Sequence, residues 1–290
     1  MLLEVNESFQ DYINEHLGDK YVVEVYPNEL LGSQTDMVQL TQTGAIDFCI
    51  ASNAILETFS KNYEIFNLPY LFASTKAYHN AMDDREITDQ IFTATEKAGF
   101  LAVTWLDAGT RNFYTVKKPI ESPKDLKGLK IRVQQSPTNI EMMKLLGGSA
   151  TPMGFGEVYT ALQSNIIDGA ENNELALTDN GHGDVCKYYS YDMHQMVPDI
   201  LIGNLAFIEE LTDEERKIFE EGYKLVNTIQ RQEWIKAVEA AKDELRAEFR
   251  AANLARAKCR AIVGDALNCD TAEEIYRLAL DTMGVKHDAI

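Results

Sequence analysis

Strand-like and helix-like stretches alternate along most of this chain, and that alternation limits the fold more than any other feature. The run "YVVEVY" at 21–26 has the β-branched and aromatic composition of a strand and is ended by Pro27 and Asn28. A helix is predicted after Gly32, with Ser33 as its cap, Met37, Val38 and Leu40 as its apolar side and Gly44 as its stop. The apolar run "AIDFCIA" then reads as a buried strand, with Ser52 and Asn53 at its carboxyl end. After "NYEIFNLPYLFAS", a helical stretch covers roughly 75–97, and "FLAVTWL" supplies the next strand. This order argues for a mostly parallel sheet covered by helices, with ligands beyond the carboxyl ends of the strands.

A second series begins near Gly109 with "NFYTV", the Pro123 turn, "LKIRV" and a helix over 137–146. It continues through "ATPM", the helix "FGEVYTALQSN" and the strand "IIDGAEN". The expected fold is therefore α/β with two lobes and a ligand cleft between them. The stretch "PDILIGNLAFI" returns to strand character, and a long helix with a Thr212 and Glu215 capping box follows, long enough to bend or to bridge the lobes. The expected lobes are 1–108 with 197–236, and 109–196 with 237–252, leaving 253–290 as a tail of short helices, with Asp270 or Thr271 as a cap.

Composition removes several function classes. A chain of 290 residues with a formal charge of −19 has no dominant basic face, which argues against nucleic acid or anionic lipid as a partner. No run reaches the apolar length of a membrane span, and the first residues read as an acidic amphipathic helix, without the basic start and apolar core of a secretory signal. Cys49, Cys186, Cys259 and Cys269 are scattered and only five histidines are present, so buried free thiols are expected and no metal or cofactor is implied. The usual nucleophile, zinc and phosphate-loop signatures are missing.

Any bound anion must then be met by particular side chains. Period-two parity in "LKIRVQ" puts Leu129, Ile131 and Val133 on one face and Lys130, Arg132 and Gln134 on the other. Arg132 points away from the local core, as a solvated arginine or a ligand group would. It lies at a strand's carboxyl end, just ahead of the Ser136 and Pro137 helix start, whose backbone N–H groups favour an anion. Arg111 in "AGTRNFY" is a second candidate, or a loop ion pair; Asn172 and Asn173 follow a strand end, as ligand amides or helix caps. Phe155 is a pocket wall or a core aromatic, and Asp47, Asp168 and Glu171 are acids near strands.

Taken together, "YPNELLGSQTDMVQLTQTGAIDF", "NLPYLF", "GTRNFYT", "DLKGLKIRVQQS", "TPMGFGEVYTALQSNIIDGAEN" and "KYYSYDMHQMVPDIL" resemble the DctP-type substrate-binding proteins of tripartite ATP-independent periplasmic (TRAP) transporters. The resemblance spans about residues 1–242. It implies a periplasmic receptor, with no covalent chemistry, whose two lobes close over a small organic acid and deliver it to a TRAP membrane permease. By position, it implies Arg132 as the partner of the ligand carboxylate, Arg111 as a second site arginine, Asn172 as the site asparagine and Phe155 as the aromatic beside the ligand. Gln135, Ser52 and Asn53 fall at positions that vary with substrate.

The forms "RVQQS" and "DGAENN" look most like members that take sugar acids such as uronates. Two departures from the family pattern are expected to matter: Met1 falls inside what is normally the first helix, and the tail is unlike the family's final strand and helix. The alternatives are an enzyme acting on a sugar acid through Asp168 or Glu171, and a truncated remnant without activity.

Overall fold

Nine strands form two sheets in residues 2–248 and 250–252, which are those the computed structural model describes. They are β1 (Phe48–Ser52), β2 (Phe100–Leu106), β3 (Arg111–Thr115), β4 (Lys130–Val133), β5 (Ser149–Pro152), β6 (Gly169–Asn172), β7 (Tyr188–Gln195), β8 (Asp199–Asn204) and β9 (Arg250–Ala252). The chain divides into two units. The first holds the residues up to Ser52 with Ile91–Asp107 and Pro198–Ala237; the second holds Asn53–Gln90, Ala108–Val197 and the described residues from Val238 on.

The first unit is built on the sheet β1-β8-β2, in which β8 pairs antiparallel with both neighbours. The mostly parallel sheet expected here is not formed: both ladders are antiparallel, because β8 takes the central place between β1 and β2, which run parallel to each other without being adjacent. Ile200, Leu201 and Ile202 of β8 are buried, as an interior strand requires. Gly203 fits where a Cβ would lie 2.8 Å from Phe48 and Ile208. Against this sheet packs the helix Leu2–Leu17, whose Val5, Phe9, Ile13 and Leu17 fall four apart on one buried face. Phe9, Phe48, Phe207, Phe219 and Tyr223 close the cluster, each large side chain contributing on the order of 1.5–3 kcal/mol of burial.

Local signals fix the helix ends. Ser33 and Asp36 cap the helix Gln34–Thr43 reciprocally, and Gly44 ends it at φ 72°. Thr212 and Glu215 form the expected capping box at the start of the helix Asp213–Glu248. Gln230 of that helix exchanges two hydrogen bonds with the Asp107 backbone, and Asn227 donates to the Trp105 carbonyl, tying it to the end of β2. Its residues up to Ala237 belong to the first unit and those from Val238 to the second.

The segment "YVVEVY" does not become a strand. Its residues alternate in exposure, with Val22 81% exposed, yet no ladder partner is found among the described residues. The helical stretch expected over 75–97 is broken into Thr75–Asp83, Arg85–Phe92 and a short turn at Glu96–Ala98.

The second unit holds the sheet β5-β4-β6-β3-β7-β9. Strands β5, β4 and β6 are mutually parallel, β3 runs antiparallel to β6 and β7, and β9 is parallel to β7. Gly169 is required where β6 crosses β3, since a Cβ there would stand 2.4 Å from the Tyr114 carbonyl oxygen. The helix Pro137–Leu145 opens with Ser136 as its cap and proline at its first turn. The division differs from the expected lobes most in Asn53–Gln90, which groups with the second unit, where the Tyr70 N–H donates to the His194 carbonyl at 2.7 Å, and by single residues at Ala108, Val197 and Ala237.

Cys49 and Cys186 are buried free thiols, pushed up by burial to about 11 and about 12. Cys259, Cys269 and the expected caps at Asp270 or Thr271 lie outside the described residues. None of the described helices is long and apolar enough to cross a membrane.

Candidate functional site

Strand direction gathers most of the expected ligand residues at one end of the second unit's sheet. Because β4, β5 and β6 are parallel and β3 is antiparallel between β6 and β7, one end collects the carboxyl ends of β4 to β7 and the amino end of β3. Arg132, Pro152, Asn172 and Gln195 stand at or next to the first four termini, and Arg111 at the fifth. Neighbouring strands lie about 4.8 Å apart, so these side chains share a short edge.

Arg132 is only 3% exposed, which excludes the solvated arginine that strand parity allowed. Parity gave its face correctly, but β4 is an interior strand between β5 and β6, and residues of both its faces, Ile131, Val133 and Arg132, are buried. One edge of the guanidinium, Nε and Nη2, donates to the Met153 carbonyl at 3.1 and 2.9 Å. Its carbon lies 5.8 Å from the centroid of Phe155, a half-buried ring just past β5. Phe155 in turn rests on His182, with centroids 5.3 Å apart. His182 Nδ1 is 2.8 Å from the Tyr114 hydroxyl. Burial first, and then the Arg132 charge, lower the His182 pKa to about 4, so the imidazole is neutral at pH 7.

Arg111 is buried and already paired. Its Nε and Nη2 hold the two Glu171 carboxylate oxygens, and Nη2 also donates to the Glu171 carbonyl at 2.9 Å. His194 bridges Glu171 at 3.4 Å and Asp192 at 2.8 Å, with its ring stacked on Phe113 at 4.5 Å. Asp192 further accepts the Phe113 N–H at 3.1 Å. Burial opposes the charged form of each group, but the ion pairs prevail. Arg111 above all holds the Glu171 carboxyl well below its usual range, and Asp192 above all raises His194 to about 9. The result is a rigid cluster with opposite charges matched.

Asn172 is buried at the β6 terminus; its Oδ1 accepts the Asn173 N–H, and no acceptor for its Nδ2 is found among the described residues. Asn173 turns out to be a structural cap: its Oδ1 accepts the Leu175 N–H and its Nδ2 donates to the Ala108 carbonyl. The helix start after Arg132 does not await an anion. Glu57 occupies it, accepting the Thr138 N–H and hydroxyl and the Ser136 hydroxyl, while Asn67 donates to the same carboxylate.

Gln135 is exposed. Ser52 belongs to the first unit's sheet, where its N–H donates to Gln34. Asn53 is fully buried and spends its Nδ2 on Tyr63 and Asn67. Asp168 accepts the Lys130 N–H at the opposite, amino end of β6, so it does not pair with Glu171 as an acid and base would.

Sequence reasoning missed Glu57, His182, Asp192 and His194. A signal existed for the last two: an aspartate and a histidine two apart in "YYSYDMHQ" share one strand face, and buried charges of opposite sign on one face imply pairing.

Comparison with known proteins places this geometry. Residues 1–260 match the family described as bacterial extracellular solute-binding protein, family 7, DctP. A TRAP periplasmic solute-binding protein of Anaerococcus prevotii, solved with bound α/β-D-glucuronate, is 58% identical with a TM-score of 0.91, covering 97% of this chain and 89% of that one. Its counterpart from Xanthobacter autotrophicus, with β-D-galacturonate, is 30% identical with a TM-score of 0.88, covering 98% and 95%. The C4-dicarboxylate-binding periplasmic protein DctP of Rhodobacter capsulatus is 31% identical across 82% of this chain and 76% of its own length.

Proposed function

Since the chain belongs to the DctP family of bacterial extracellular solute-binding proteins, we propose that this receptor of the TRAP type takes a hexuronate, D-glucuronate or D-galacturonate, through Arg132. The observation that carries this reading is the buried Arg132 guanidinium at the convergent sheet end, anchored along one edge by the Met153 carbonyl. A planar fork fixed in this way grips a carboxylate with charge-assisted hydrogen bonds that a lysine cannot imitate. The Asn172 amide donates to a sugar oxygen, and Phe155 covers an apolar face of the ring. Arg111 stands at the same sheet end, its charge matched by Glu171, and its bidentate pairing fixes where it stands.

The ligand leaves unchanged. A carboxylate held as low as that of Glu171 is a poor proton acceptor, and Asp168 is tied to the Lys130 backbone, so neither supplies the base that a lyase or isomerase needs. Delivery is to a TRAP permease on the outer side of the cytoplasmic membrane.

A thermal-shift panel tests the reading, since a ligand bound only by the native state raises its apparent stability by about 2.7 kcal/mol at a hundredfold excess over Kd. D-glucuronate and D-galacturonate should raise the Tm, and glucose, which lacks the carboxylate, should not. Mass spectrometry of the released ligand should recover it unaltered. Stabilisation by glucose alone, or conversion of the acid, would contradict the proposal.

A further inference from the structure

Of the two buried histidines described in the second unit, His194 sits in ion pairs, and His182 is the one they do not explain. It is 2% exposed, neutral beside a cation, and stands behind the guanidinium with the Phe155 ring between. Nothing in the charge pattern requires a histidine here, and burial works against it. What the side chain supplies is a flat ring with one polar corner. The polar corner meets the Tyr114 hydroxyl, which donates to Nδ1 when the ring proton is on Nε2; the face carries Phe155.

The contacts continue in both directions. Tyr114 stacks on Tyr189 with centroids 6.3 Å apart, and the Tyr189 hydroxyl donates to the Asn172 carbonyl at 3.1 Å while accepting from Asn112. A line of rings thus joins Arg132 to the terminus of β6: Phe155, His182, Tyr114, Tyr189, then Asn172. Phe155 itself is only half-buried; it lies on a three-residue turn, Phe155–Glu157, and its ring packs against the cluster that holds Tyr114 and Tyr189.

From this geometry we infer that His182 is a positioning residue of the acid site: its ring seats Phe155, and Phe155 seats the Arg132 guanidinium for its ligand. The inference rests on the reading of Arg132 as the carboxylate partner. Its chemical content is specific: the ring face matters for binding, and the Tyr114 hydrogen bond matters mainly for keeping the ring in place. A cation held over an aromatic face loses orientation, without losing its charge, when the ring can tilt.

The test is calorimetry with D-glucuronate on variants whose fold is checked by circular dichroism. His182→Asn keeps a polar group for Tyr114 and removes the ring; it should weaken binding about tenfold. His182→Phe combined with Tyr114→Phe keeps the ring and removes both partners of the hydrogen bond, which leaves no buried group unpaired, and should recover binding to within about threefold of the unaltered protein. In a Phe155→Leu background the His182→Asn change should add nothing, because its effect runs through the ring already removed.

Unchanged affinity in His182→Asn, or full additivity with Phe155→Leu, would overturn the inference. If His182→Asn does not fold, loss of binding in the folded double phenylalanine variant overturns it instead, and recovery there supports it. Arg132→Ala is run in parallel. Unchanged binding in that variant defeats the underlying reading, whereas loss of binding there with none in His182→Asn defeats only the role of His182.

Discussion

At the scale of the residue, bonding partners separate two arginines that are buried alike, Arg132 at 3% exposure and Arg111 at 5%. Arg132 meets a backbone carbonyl and a ring, and Arg111 meets a carboxylate on two sides. Arg132→Ala should therefore cost uronate affinity on the order of 2–5 kcal/mol, and Arg132→Lys should recover little of it, both read by calorimetry. The Glu171 and His194 pair gives stability a pH signature. Glu171 is lowered, so its contribution is present above the ordinary carboxylate range and lost as the pH falls below it. His194 is raised, so its contribution is complete below the unfolded histidine value near ~6.5 and is lost as the pH rises through about 9. The Tm should fall between these two values, and His194→Gln should flatten that alkaline limb; an identical limb in the variant would show that another group is responsible.

At the scale of the element, the strands and helices with strong local signals were legible. "FLAVTWL", "LKIRV" and the capped helices at Ser33, Ser136 and Thr212 form where composition and caps placed them. What the sequence concealed was long-range. β8 enters between β1 and β2 because ladder partners are chosen by the whole chain, and "YVVEVY" has strand composition without a described partner. The start of the helix Pro137–Leu145 is the same lesson on a smaller scale: a site predicted for a ligand anion is filled by Glu57, a residue about eighty positions away. Glu57→Ala leaves the Ser136, Thr138 and Asn67 donors unmet and should destabilise the protein by about 3 kcal/mol in urea unfolding, whereas Glu57→Gln should cost less. Gly169→Ala, which drives a Cβ into the Tyr114 carbonyl, should destabilise through β3 and β6 by more than about 1 kcal/mol.

At the scale of the whole molecule, the proposed function makes the chain an acidic receptor for an acid. A formal charge of −19 repels an anionic ligand at long range, and the favourable contact is local and buried. Raising ionic strength from about 0.01 M to 0.15 M shortens the screening length from ~30 to ~8 Å and should speed association with D-glucuronate in stopped flow. Slower association at higher salt would mean that the local positive field governs the encounter. The fold class was legible in the alternation of strands and helices, and the receptor function in the family motifs; Arg132, Phe155, Asn172 and Arg111 were named from those motifs, and their meeting at one sheet end follows from the strand order of the second unit. The partners that fix those side chains were not legible, since Glu171, His182 and Met153 come from other strands and turns. The most direct measurement is a crystal structure of the protein with D-glucuronate. The account predicts the sugar carboxylate paired with the Arg132 guanidinium at about 2.7–2.9 Å, with Asn172 donating to a ring oxygen or hydroxyl. A carboxylate bound elsewhere, away from the Arg132 guanidinium, would contradict it.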